Sequence, residues 1–142
     1  MRHRVLGKKL NRSSSHRRSM ERNFICSVIK HERVVTTLAK AKAMQRNLEK
    51  MITLGKTKDL VRYRRALAYL RDEAAAKKLF DELGVRYANR PGGYSRVIRL
   101  GEHRIGDGAP KAILELVDND VLARKLEGAE AAEVDEEEVA EA

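Results

Sequence analysis

The chain has 142 residues, the length of one domain plus appendages, and its single cysteine excludes an internal disulfide and fits a reducing compartment. Its formal charge of +9 hides a split: seven acidic and no basic residues lie from Gly128 to Ala142, leaving +16 on residues 1–127. A field of that size points to a polyanion, nucleic acid or an anionic membrane surface, and no apolar run is long enough to span a bilayer.

The first nineteen residues, MRHRVLGKKLNRSSSHRRS, hold seven Lys or Arg, two His and no acid. Such a stretch has too little apolar surface to offset the entropy of ordering it alone. Residues 1–12 are therefore assigned as a basic arm, 13–127 as a single folded domain, and the Ala- and Glu-rich 128–142 as a disordered acidic tail. Arg- and Ser-rich composition without acid also suits an organellar transit peptide, so composition leaves that reading open.

Asn11, Ser13, Ser14 and Ser15 cluster as possible helix N-caps. Met20, Phe24 and Val28, with Ile25 and Ile29, then recur at four-residue spacing, which predicts a helix ending near His31. RVVTT, residues 33–37, sets four β-branched residues in a row and reads as a short strand. Thr37 can cap a second helix carrying Leu38, Ala41, Met44, Leu48 and Met51, stopped by Gly55. A third helix after Thr57 carries Leu60, Tyr63, Leu67 and Leu70 on one stripe. Asp72 caps a fourth, with Ala76, Leu79, Phe80 and Leu83 inward and Gly84 as its stop. RPGGY (90–94) is a turn with a positive φ at Gly92 or Gly93, and strands are predicted over 94–100 and 111–118. The order is helix, strand, three helices, two strands: an α+β domain.

Arg96 shares strand parity with Tyr94, Ile98 and Leu100. It reads equally as a solvated edge-strand residue or as an arginine aimed at a phosphate beside the sheet.

Catalytic and metal chemistry find no support. His3, His16, His31, His103 and Cys26 are scattered, without ligand spacing, and Cys26 reads as a small buried side chain. GDGAP (106–110) lacks the lysine and serine of a phosphate loop. Asp59, Asp72 and Glu73 look like helix-start residues serving the dipole. No nucleophile, base and oxyanion donor come together, so neither an enzyme, a cofactor nor a small-molecule substrate is expected. Basic residues recur instead: Lys40 and Lys42 open the second helix, and RYRR (62–65) lies on the third. Taken one at a time these read as solvated helix faces. The arm differs, because its charges have no counter-charges. Aromatic residues make up only 4% and none lies in the arm, which favours phosphate and shape contacts over base stacking.

Several long segments together resemble the bacterial ribosomal protein L17 family of the large subunit, over roughly residues 1–118. The arm MRHR…KKLNR…HRRSMERN is similar to that family's N-terminal extension. VVTTLAKAKAMQRNLEKMITLGK (34–56) resembles its signature, with Thr36, Thr37, Lys40, Lys42, Glu49, Thr53 and Lys56 at the expected spacing and Val34 where isoleucine is usual. Residues 78–96 and 106–118 are similar to further family segments, and a match starting at Met1 weakens the transit-peptide reading. The resemblance implies a two-layer α/β domain with a three-stranded mixed sheet. It also implies a cytoplasmic, ribosome-bound protein on large-subunit ribosomal RNA near the polypeptide exit region, in contact with ribosomal protein L32.

The expectation is thus a structural constituent of the large subunit. Arg2, His3, Arg4, Lys8, Lys9, Arg12, Arg17 and Arg18 of the arm region would contact RNA, joined by Lys40, Lys42, Tyr94 and Arg96. Arginines would supply forked phosphate contacts and lysines point charges. The alternative is a free nucleic-acid-binding regulator or nucleoid-type protein, which needs dimer symmetry or a groove-reading helix; neither is visible.

Overall fold

Ser13 opens the first helix, its Oγ accepting the His16 N–H at 3.4 Å, and α1 runs Ser14–His31. The computed structural model describes residues 8–119; Arg2, His3 and Arg4 and the tail assigned to 128–142 lie outside the described residues. Glu32 ends α1 with a left-handed φ of 60° and an N–H bonded to the Val28 carbonyl. Strand β1 (Arg33–Thr37) leads into α2 (Leu38–Gly55) and α3 (Leu60–Leu70). Asp72 then caps α4 (Glu73–Lys78) by accepting the Ala75 N–H at 3.1 Å. Strands β2 (Ser95–His103) and β3 (Pro110–Leu116) complete the domain.

The predicted order holds, with corrections in detail. Gly84 is no stop: α4 passes through a π-helical turn, Leu79–Leu83, into α5 (Gly84–Arg86), and the Gly84 N–H reaches back to the Leu79 carbonyl. The glycine serves close packing instead, because it crosses the backbone of Gly55. Leu60 is exposed at 61%, so the buried stripe of α3 starts one turn later, with Tyr63, Leu67 and Leu70 against the core. Thr37 occupies the N-cap position of α2 without a side-chain bond to it.

The sheet has the order β1-β3-β2 and is antiparallel at both pairings, not mixed. The reason is connectivity. β2 and β3 form a hairpin, which a short loop permits only in antiparallel sense. β3 then inserts beside β1, so β1 and β2 point the same way without being neighbours. The helices cover one face only: Ala112, Leu114 and Leu116 of β3 join Ile25, Ile29, Leu48, Ile52 and Leu79 in one core. The opposite face carries two cross-strand rows, Val35–Ile113–Ile98 and Arg33–Glu115–Arg96.

Two tyrosines tie the turn before β2 to this core. Tyr87 and Tyr94 stack at 5.4 Å between ring centroids, and the Tyr87 hydroxyl donates to the Val117 carbonyl. Of the two glycines between them, Gly93 has φ +64°, and a side chain at either meets no neighbour within 4 Å. Backbone conformation alone therefore separates the two. Gly93→Val should cost about 1–2 kcal/mol or more in urea melts, while Gly92→Val stays close to the parent. Equal costs would place the turn elsewhere.

Candidate nucleic-acid interface

Charge divides along the chain at Arg71. Residues 8–71 contain eighteen Lys or Arg and four Asp or Glu; residues 72–119 contain eight of each. The fold turns this into two kinds of surface. In the sheet and around α4, cations are mostly committed to carboxylates. Glu32 takes Lys78 at 2.9 Å and Arg86 at 2.5 Å. Glu115, with 1% of its side chain exposed, takes Arg96 at 2.5 Å and Arg33 at 3.6 Å. Arg90 pairs with Asp118 at 3.4 Å, Arg104 with Asp107, and Lys111 with Glu102 at 3.1 Å.

On α1, α2 and α3 the pattern inverts. Arg17, Arg18 and Arg22 of α1, Lys40, Lys42, Arg46 and Lys50 of α2, and Arg62, Arg64 and Arg65 of α3 have no ion pair within 4.0 Å among the described residues. None of these three helices has an acidic residue in its first turn, although Asp59 occupies the N-cap position of α3. Cations held near one another without counter-charges raise the energy of the free protein and are relieved by a bound polyanion.

The expected contact residues fall into three groups. Lys8, Lys9, Arg18 and Lys42 are exposed, ready for solvent or a partner. Arg12 and Lys40 come together, with His16 and Thr36, around a cleft of about 370 Å³ between α1 and the start of α2, floored by Met20, Phe24 and Met44. Arg17 is half-buried beside it, its guanidinium donating to the Arg12 carbonyl at 3.4 Å. That bond holds the end of the arm against α1.

Tyr94 and Arg96 stand apart from this cleft. Tyr94 is only 2% exposed, with Lys56 Nζ 4.7 Å from its ring centroid and the Thr53 hydroxyl 3.5 Å from its own. Burial is the largest influence and works to raise its pKa, but hydrogen bonds with Lys56 and Thr53, together with the Lys56 charge, outweigh it and hold the phenol below its ordinary value. Arg96 lies on the helix-free face of the sheet and closes over Glu115. The solvated edge-strand reading of Arg96 holds, since β2 is at the edge of the sheet and the side chain is 55% exposed, with a partner on the neighbouring strand that neither reading named.

Sequence reasoning passed over Arg22 and Lys50 and noted RYRR without weighting it. The signal was available: from Leu60 to Arg71 there are four arginines and no acidic residue. Cys26 behaves as a packed side chain, its thiol donating to the Leu70 carbonyl at 3.5 Å and burial raising its pKa. Among the described residues no cluster of His, Cys, Asp or Glu could hold a metal ion, and no helix is long and apolar enough to cross a membrane.

The domain thus has one charge-balanced flank and one uncompensated cationic flank among the described residues. The family model described as Ribosomal protein L17 matches residues 20–117, from within α1 to just past the end of β3. The chain belongs to the ribosomal protein L17 family, a structural rather than catalytic family of the large ribosomal subunit.

Proposed function

We propose that this protein binds large-subunit ribosomal RNA through phosphate and shape contacts, with the basic arm threading between RNA helices and the α1–α2 cleft seated against the backbone. The observation that carries the reading is the charge partition, eighteen basic against four acidic residues over 8–71. Lys8, Lys9, Arg12, Arg17, Arg18, Lys40 and Lys42 form the described part of that contact, and Arg2, His3 and Arg4 extend it along the arm. The sparse exposed aromatics support phosphate rather than base readout. The family resemblance further supports a site near the polypeptide exit region, a neighbouring ribosomal protein L32, and residence on cytoplasmic ribosomes.

Deleting residues 1–12 removes Arg2, Arg4, Lys8, Lys9 and Arg12. With four or five of them on phosphates, each contributing a slope of about −0.7 to −0.9, log K against log salt should become shallower by roughly three to four units. The helical signal and melting temperature should hold, because the core is built from Ile25 onward. The shortened protein should also follow the large subunit less completely through a high-magnesium gradient. Identical salt slopes for the two forms would show that the arm serves something other than RNA.

A further inference from the structure

We infer that a groove on a different side of α1, enclosed by α1, α2 and α3, is a second RNA-backbone site, with Arg22, Lys50, Arg62 and Arg65 as its phosphate ligands. The inference rests on the proposed RNA-binding function and adds a surface that the arm and the α1–α2 cleft do not include.

The groove measures about 900 Å³, the largest of the surface concavities described. Its floor is apolar, from Met51, Leu54 and Ala68, and its rim carries the four cations with one carboxylate, Asp59. Arg62 and Arg65 stand three residues apart on α3 and so share a helix face. None of the four cations has an ion pair among the described residues.

Arg22 adds an independent observation. Its Nε is buried and has no hydrogen-bond partner, although its guanidinium lies 5.9 Å from the Tyr69 ring centroid. The nearby carboxylate that could have neutralised it is engaged elsewhere: Glu21 accepts from Asn47 Nδ2 at 2.5 Å and from the Tyr69 hydroxyl. Burial, followed by that bond to Glu21, holds the Tyr69 phenol well above its ordinary pKa, so it remains a neutral donor. Glu21 thus fixes Asn47 and Tyr69, and the Arg22 charge is left for a ligand.

Charge complementarity selects the occupant. A nucleic-acid strand presents one phosphate per nucleotide to a rim of several cations. Arginine supplies the planar fork that phosphate oxygens accept.

The test uses the full chain carrying Lys50→Gln, Arg62→Gln and Arg65→Gln together. All three residues are exposed and lie on helices, where glutamine is accepted at little cost. Affinity for large-subunit ribosomal RNA is measured across a salt series, beside a control carrying Lys77→Gln and Arg99→Gln on the charge-balanced half. The triple variant should lose about two to three units of salt slope, with an unchanged slope in the control. The three single variants, each expected to lose about 0.7–0.9, keep the test valid if the triple variant melts early. A parental slope in the triple variant, beside a shallower one on arm deletion, overturns the groove and leaves the RNA-binding function standing. Loss of binding to another ribosomal protein at an unchanged RNA slope overturns it as well, assigning the groove to a protein. Failure of the parent chain to bind ribosomal RNA in a salt-dependent way overturns both.

Discussion

Gly84→Ala is expected to destabilise the domain by about 3 kcal/mol or more in urea unfolding, the largest effect of any single methyl group added here. A Cβ at that position would lie 2.3 Å from the Gly55 carbonyl oxygen and 3.0 Å from its carbon, and also 3.2 Å from the Leu79 carbonyl oxygen. All three are backbone atoms, so no rotamer change relieves the clash. Only separating α5 from the end of α2 would do so, and that would open the seam where Leu48, Ile52, Leu79 and Leu83 are fully buried. Gly55→Ala should cost less. Its Cβ would meet Leu79 Cγ at 2.9 Å and Cδ1 at 3.2 Å, atoms that can give way in part, although Leu79 O at 3.0 Å cannot. Gly101→Ala is the control, with nothing within 4 Å of the added carbon. A Gly84→Ala protein within about 0.5 kcal/mol of the parent would mean that the two backbones do not cross here.

The same glycine shows what a sequence can and cannot carry. Gly55 and Gly84 both follow apolar periodic runs, and the rule that glycine ends helices places a stop at each. α2 does end at Gly55, although the residue that caps it, Lys56, is right-handed, and the rule misses at Gly84, because the requirement at Gly84 comes from Gly55, 29 positions away in the chain. Element type and order were legible because they rest on local physics: the spacing of Phe24, Val28 and Ile29, the β-branched run of 33–37, the Asp72 cap. Sheet sense was not legible from those patterns, since it depends on β3 inserting between β1 and β2.

Charge follows the same division. That residues 8–71 are cationic is a matter of counting, but which cations remain unpaired is a tertiary fact. Arg33 and Arg96 lie 63 residues apart and meet the same Glu115 across the sheet. Arg22 has Glu21 as its immediate neighbour in sequence, yet that carboxylate turns to Asn47 and Tyr69. Adjacent opposite charges are therefore poor guides to pairing, because a helix sends consecutive side chains about 100° apart. Tyr94, expected among the RNA contacts, is buried, and its ring completes the core against Tyr87.

Glu32→Gln should lower stability at neutral pH by about 3 kcal/mol, because it removes the negative member of a buried ionic cluster while keeping its size. The Glu32 side chain is 6% exposed and is met by Lys78 Nζ at 2.9 Å and by both terminal nitrogens of Arg86, at 2.5 and 3.4 Å. Burial acts to raise its pKa; hydrogen bonds from Arg86 and then Lys78 oppose this and hold the carboxylate below its usual value of 4.5. A folded-state pKa below the unfolded one means that the unfolded chain binds the proton more readily. The contribution of Glu32 is therefore fully present above about pH 4.5 and is lost as pH falls through the lower, folded value. The stability difference between parent and variant should accordingly be flat from neutral pH down to that point and shrink below it. Asp72 and Asp107 are also held low, by Lys30 and by Arg104 respectively, but they titrate in both proteins and cancel in the difference. The left-handed backbone at position 32 is common to both side chains, so the comparison isolates charge from conformation. Urea midpoints taken in parallel from pH 7 to pH 3 measure it directly. A difference near zero over the whole range would mean that Glu32 acts as the left-handed cap of α1 and little more, with its two cations contributing nothing through its charge.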